Sequence, residues 1–193
     1  MPEPDRKRRS IRLKEYDYSQ GGMYFVTVCT RHREPFFGVI ERGEMQLNDA
    51  GDMLVAKWDT LPDRFPAVEL DSFVVMPNHV HAILNIVANG DVGAGLVPAQ
   101  RATTRVAPSV GDIVGAYKSL TTVAYTHGVR RLGWPAFHER LWQRNYYEHV
   151  IRNEESLKQI RQYIADNPAR WEFDQDNPSV FGSVRKDKAQ SNL

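Results

Sequence analysis

The segment "VELDSFVVMPNHVHAILNIV" (Val68–Val87) divides at a Pro-Asn pair. Residues 68–76 and 79–87 are runs of β-branched, aromatic and aliphatic residues, and Pro77-Asn78 between them is turn chemistry. The pattern predicts two antiparallel strands joined by a tight connection. Alternate side chains of a strand share a face, so Val80, Ala82, Leu84 and Ile86 form one face, packed into a core. His79 and His81 project together from the other, about 6.6 Å apart along the strand. Two imidazoles on one rigid strand can reach one metal ion but cannot complete its shell, so a third protein ligand has to come from elsewhere. A bare H-x-H is also what a strand with a polar, solvent-facing side carries. Here the apolar flanks and the abrupt start after Pro77-Asn78 favour a site.

Working outward, "GGMYFVTVCT" (Gly21–Thr30) follows a glycine pair with β-branched and aromatic residues and reads as a strand. In "LNDAGDMLVAKWDTLP" (Leu47–Pro62), Asn48 or Asp49 is the N-cap of a helix, Leu54, Trp58 and Leu61 recur at helical spacing, and Pro62 ends the run. Residues 88–108 are small, Gly/Ala/Pro-rich and aperiodic, the composition of a flexible loop. Ser109 with Asp112 three residues on is a capping-box pattern. It opens a helix whose buried stripe is Val110, Ile113, Val114, Tyr117, Leu120, Thr121 and Ala124 and which ends near Gly128. "LWQRNYYEHVI" (Leu141–Ile151) is read as a fourth strand. Asn153 caps a last helix, with Glu154 and Glu155 at its positive end and Asn167-Pro168 as its stop. The order β-α-β-β-α-β plus a helix is the ferredoxin-like arrangement, an α+β fold with an antiparallel sheet and helices on one face. The expected divisions are a basic arm over 1–15, one domain over 16–172 including the loop, and a polar tail over 173–193.

The 193 residues suffice for one real core, and 41% hydrophobic with 25% charged residues is ordinary globular composition. Net charge is only +1, so overall charge announces no nucleic-acid partner. Its distribution says more: "DRKRRSIRLK" (Asp5–Lys14) holds six basic residues against one acid. Such an arm is either a solvated terminus or a contact to phosphate backbones. The single cysteine, Cys29, excludes an intramolecular disulfide and a Cys-based zinc site and suits a reducing compartment. The N-terminus is charged where a signal peptide is apolar, and no apolar run approaches the roughly 18 residues of a membrane span. A cytoplasmic protein is expected.

The last helix carries a second pair. Tyr163 and Asn167 in "YIADN" are spaced i, i+4 and neighbour each other on one helical face. Both lie on one flank of the stripe Leu157, Ile160, Ile164, with Asn167 closer in. If that flank meets the sheet face bearing His79 and His81, Asn167 offers an amide oxygen as third ligand and Tyr163 stands beside the ion. Each residue also has a plainer reading: Tyr163 as an amphipathic boundary residue, Asn167 as a C-cap before Pro168. Tyr146 and Tyr147 are rival tyrosines, and His149 is a rival ligand or hydrogen-bond partner.

Five blocks, "YDYSQGGMYFVTVCTRHREPFFG", "VVMPNHVHAIL", "GDIVGAYKS", "LWQRNYYEHVIRNEE" and "QYIADNPARW", occur in this order. With them the chain resembles the REP-associated tyrosine transposases, the single-tyrosine branch of the HUH endonucleases, from about Tyr16 to Trp171. The resemblance implies a ferredoxin-like fold, Mg²⁺ or Mn²⁺, and single-stranded DNA beside a short palindromic hairpin. By position, His79 and His81 match the HUH histidines and Tyr163 the nucleophile. Asn167 matches a polar position that is usually Gln in related insertion-sequence transposases; Asn goes with the REP-linked group, its side chain one methylene shorter.

The chemistry so implied is transesterification: Tyr163 attacks a phosphodiester to give a 5′-phosphotyrosine and a free 3′-hydroxyl, conserving the bond for rejoining. Ionising a phenol at pH 7 costs roughly 4 kcal/mol, which a bound cation offsets. No dedicated general base is evident; His149 and Glu148 are candidates. DNA contacts are expected from Arg6, Lys7, Arg8, Arg9 and Arg12 of the arm and from Lys118, Arg144 and Arg152. Two other functions fit the same residues: a hairpin-binding protein without catalysis, and a metallohydrolase that activates water. A monomer and a homodimer both remain open.

Overall fold

The computed structural model describes residues 21–87 and 108–180. The arm with Arg6, Lys7, Arg8, Arg9 and Arg12, the 88–108 loop apart from Pro108, and residues 181–193 lie outside the described residues. The elements are β1 (Gly22–Cys29), β2 (Gly38–Glu41), β3 (Glu44–Leu47), α1 (Asp49–Asp59), α2 (Leu61–Arg64), β4 (Val68–Met76), β5 (His79–Ile86), α3 (Val110–Leu132), β6 (Tyr147–Ile151) and α4 (Glu154–Asp166). Four strands form one sheet in the order β4-β5-β1-β6, every neighbouring pair antiparallel. The fold is α+β.

The pleat of β1 and β5 sorts the interior into two layers. Tyr24, Val26 and Val28 of β1 and Val80, Ala82, Leu84 and Ile86 of β5 face a large core with Leu54 and Trp58 of α1 and Ile113, Val114 and Tyr117 of α3. Trp58 stacks on Phe73, ring centroids 4.7 Å apart, and the Tyr117 hydroxyl donates to the Leu54 carbonyl at 3.2 Å. On the opposite face Phe25, Ile83 and Ile151 meet Leu157 and Ile164 of α4. The helices therefore do not share one face, as the sequence predicts for α1 and α3: α4 covers the other side, the side of the histidines. Its amphipathic stripe is narrow enough to bury Leu157 and Ile164 while leaving Tyr163 at the edge.

The expected caps form. Asn48 accepts from the backbone N–H groups of Ala50 and Gly51, and Ser109 and Asp112 make the reciprocal capping box. Asn153 accepts from the Ser156 N–H at 2.8 Å. Pro62 does not end a helix; it sits in the first turn of α2, where a missing N–H costs nothing. The fourth strand is shorter than expected, beginning at Tyr147, because residues 141–143 instead bond to the chain just after β1. The β2–β3 ribbon has no counterpart in the sequence reading. Arg42 and Gly43 turn it with φ of 53° and 80°, the two positive values of a type I′ hairpin. No helix among the described residues is long and apolar enough to cross a membrane.

Candidate active site

The site is built from β5 upward. His79 and His81 are both buried, on the α4 side of the sheet, and their Nε2 atoms are 3.0 Å apart. That is the separation of two nitrogens sharing one ion at about 2.1 Å each and at a right angle. Each ring is held from behind. Thr27, directly across from His81 in the register, has its Oγ1 2.8 Å from His81 Nδ1. Asn78 Oδ1 is 2.8 Å from His79 Nδ1. The Asn78 amide nitrogen donates to the carbonyls of Arg33 at 2.8 Å and Asp176 at 2.7 Å. Both of its hydrogens are thus committed, and Oδ1 can only accept. His79 must carry its proton on Nδ1, which leaves the Nε2 lone pair facing the centre.

Burial drives both imidazoles to their neutral form. His79 is held well below the usual histidine value by desolvation first, then by the neighbouring His81 and Arg33. Desolvation pushes His81 down to about 4. Neutral imidazole is the ligating form.

Asp174 offers a third ligand atom: its carboxylate and the two histidine nitrogens lie within 4.8 Å of one another. This residue falls in the segment the sequence assigns to a polar tail. Residues 174–177 instead pack against the site, with Asp176 and Asn177 buried and Asp176 paired to Arg33 at 2.6 Å. Sequence reasoning misses Asp174 and Asn78, the former because its segment has no periodicity, the latter because a Pro-Asn pair reads as a turn.

α4 brings the expected second pair. The Tyr163 hydroxyl is 3.4 Å from His81 Nε2, within one chain. Its ring meets Phe25 edge-on, centroids 6.0 Å apart, and lies 5.2 Å from the His81 ring. Tyr163 is 40% exposed, so its hydroxyl stands between the buried imidazoles and solvent. Burial, Asp174 and Asp176 raise its pKa above the ordinary phenol value, while a hydrogen bond from the Asn167 amide works against them. Asn167 is buried and its Oδ1 has no hydrogen-bond partner. A buried orphan acceptor is costly. Two neutral imidazole nitrogens and a carboxylate form a donor set suited to a divalent cation of borderline to hard character, and the unpartnered Asn167 oxygen is a candidate further donor. Arg161, two residues before Tyr163, clamps α4 to β4 through a two-pronged bond to Asp71, 3.0 Å from Nε to Oδ1 and 2.6 Å from Nη2 to Oδ2.

The other candidates separate by face. Tyr147 pairs with Thr27, which pairs with His81, so the three form one row across the sheet on the site side. Tyr147 is 52% exposed, edge-on to Phe25. His149 pairs with Phe25 on the same side and is exposed. Glu148 pairs with Val26 and therefore lies on the opposite face, where it accepts a bond from the Tyr146 hydroxyl at 2.8 Å. Neither Glu148 nor Tyr146 faces the histidines. Lys118 is turned inward, its ammonium donating to the Gln143 and Arg144 carbonyls. Arg144 lines an open cavity beside the site. Arg152 lies past the far end of β6, roughly 17 Å along the strand from Tyr147. Cys29 is inert: burial and Asp176 push its thiol up to about 12.

No protein-family model matches the chain. An uncharacterised protein of Haemophilus influenzae is 40% identical over 176 residues, covering 87% of this chain and 92% of that one. Among solved structures, a REP-associated tyrosine transposase bound to a REP hairpin superposes with a TM-score of 0.54 at 22% identity, covering 82% of this chain and 74% of the other. The chain therefore belongs to one family with the Haemophilus influenzae protein, and its α+β fold is that of the REP-associated tyrosine transposase.

Proposed function

We propose that the protein is a REP-associated tyrosine transposase: a metal-dependent endonuclease and strand transferase acting on single-stranded DNA beside palindromic hairpins. The observation that carries this reading is the Tyr163 hydroxyl 3.4 Å from His81 Nε2, beside a second imidazole nitrogen 3.0 Å further on. A nucleophile and a pair of ligand atoms converge on one point at the protein surface. The solved structure of like fold holds a REP hairpin, which is in keeping with a DNA substrate.

His79, His81 and Asp174 would hold a divalent cation, with the Asn167 amide oxygen as a further donor. Mn²⁺ suits two imidazoles better than Mg²⁺, which prefers oxygen. Once bound, the cation supplies charge to polarise the scissile phosphate and to stabilise the leaving oxygen. The chain's own residues do the rest. Tyr163 Oη attacks phosphorus, the bond from phosphorus to the 3′ oxygen breaks, the proton that the phenol gives up ends on the 3′ oxygen, and a 5′-phosphotyrosine remains. Burial and the two nearby carboxylates keep the phenol protonated at neutral pH, and the Asn167 amide, one turn on, stabilises the developing phenolate. Phe25 packs against both the Tyr163 and His81 rings and fixes their mutual orientation. The tyrosine and histidines lie close together within one chain, which is in keeping with a reaction carried out by a monomer.

The test is covalent trapping on a single-stranded hairpin oligonucleotide with Mn²⁺. The wild-type chain should form an adduct that migrates as protein plus DNA, and Tyr163→Phe should remove it while leaving binding nearly unchanged. An undiminished adduct in Y163F moves the nucleophile to Tyr147, the other exposed tyrosine on this face among the described residues. Cleavage that survives Y163F without an adduct identifies a metallohydrolase. Binding without cleavage in any divalent metal identifies a catalytically silent hairpin-binding protein.

A further inference from the structure

A cavity of about 640 Å³ opens at the C-terminal end of β1, lined by Arg31, His32, Arg33, Arg140, Gln143 and Arg144 with Glu139. It is the size of a ligand site. Two chain segments make it and are bonded to each other. The Arg31 N–H donates to the Leu141 carbonyl at 2.8 Å, and the Gln143 N–H donates to the Cys29 carbonyl at 3.0 Å. The Gln143 side chain adds a bond to the Thr30 carbonyl at 3.1 Å. From behind, the Lys118 ammonium ties down the carbonyls of Gln143 and Arg144.

The backbone is held in an unusual state at this place. His32, Arg33 and Glu139 adopt φ of 59°, 60° and 58°, three of the four positive-φ non-glycine residues among those described. Left-handed backbone is costly for such residues and concentrates at ligand clamps. The charge is also lopsided. Glu139 is bound to Arg31, and Asp176 to Arg33. Arg140 and Arg144 form no ion pair among the described residues, so the cavity keeps two guanidinium charges for an incoming anion. A planar guanidinium fits a phosphate with two parallel bonds.

The cavity is joined to the histidine site. Arg33 lines the cavity, and its carbonyl accepts from Asn78, which orients His79. Arg31 stands two residues beyond Cys29, which pairs with His79, about 7 Å along the chain. We propose that this cavity binds backbone phosphates of the single DNA strand immediately next to the scissile one, with Arg140 and Arg144 as the principal contacts. The inference rests on the function proposed above and adds the path of the strand: it runs from Tyr163 over the histidines to the end of β1.

The experiment measures binding of a fluorescent single-stranded hairpin oligonucleotide to the full chain over a range of salt concentrations. Removing two single-strand phosphate contacts in R140A/R144A should weaken binding about tenfold near physiological salt and lower the slope of log K against log salt by about 1.4. R140K/R144K should keep the slope, because the charges remain, and lose affinity only several-fold. K57A/R64A, on the α1–α2 side, should match wild type in both. Arg144→Glu, at an exposed position, gives a second measure that does not depend on the double variant folding, and a loss greater than tenfold is expected. Wild-type affinity and slope in R140A/R144A, or wild-type affinity in R144E, overturns the cavity assignment and leaves the transposase reading intact. Absence of DNA binding by the wild-type chain overturns both.

Discussion

At the scale of single residues, the histidines are only as well placed as the groups behind them. Asn78 spends three hydrogen bonds on holding one imidazole, to Arg33, Asp176 and His79. Asn78→Ala should leave both proposed ligands present yet weaken Mn²⁺ binding by about 10- to 100-fold, the usual cost of losing such support, as read by titration calorimetry. An unchanged affinity would mean that burial alone orients His79. His79 and His81 are legible in sequence because a strand's period of two puts them on one face whatever the rest of the chain does. Asn78 is not, because its partners lie 45 and 98 residues away, and nothing in a Pro-Asn pair distinguishes a turn residue from a ligand's anchor.

At the scale of elements, α4 is the part that sets Tyr163, the proposed nucleophile, against the sheet. Its seat is the apolar contact of Leu157 and Ile164 with Phe25, Ile83 and Ile151, pinned by Arg161 on Asp71. Removing the pin leaves the seat. Arg161→Ala should therefore lower the rate of adduct formation several-fold with little change in DNA affinity, since it loosens the tyrosine and no phosphate contact. Equal single-turnover rates in R161A and wild type would count against a positioning role. The same pin has a pH sense. The Arg161 guanidinium holds the Asp71 carboxyl below its ordinary range, so the contribution is full above the unfolded-chain value and is lost as pH falls through the lowered one. The caps of α1, α3 and α4 were legible because capping is local chemistry. The β2–β3 ribbon was not: its strands are four residues each, too short for alternation to stand out from loop composition.

At the scale of the whole molecule, the sheet separates structure from chemistry. One face carries the large core with α1 and α3; the other carries α4, the 174–177 segment and the site. The position of α4 could not be read from β-α-β-β-α-β order alone, which specifies which strands neighbour each other but not which face a terminal helix chooses. Asp174 was hidden for a similar reason, since a polar segment without periodicity is held by long-range partners such as Arg33.

The fixed amide of Asn78 and the depth of the two rings together settle a matter of proton counting. His79 has its hydrogen on the side away from the centre, and His81, at about 4, carries no extra proton near neutrality. Filling the site with a cation between about pH 6 and 8 should then expel almost no hydrogen ions. Calorimetric titrations of Mn²⁺ in two buffers of very different ionisation enthalpy should return the same heat. Heats that diverge by the buffers' difference would mean that the cation arrives only by evicting a proton. A site that exchanges nothing with its buffer answers to metal concentration and not to acidity.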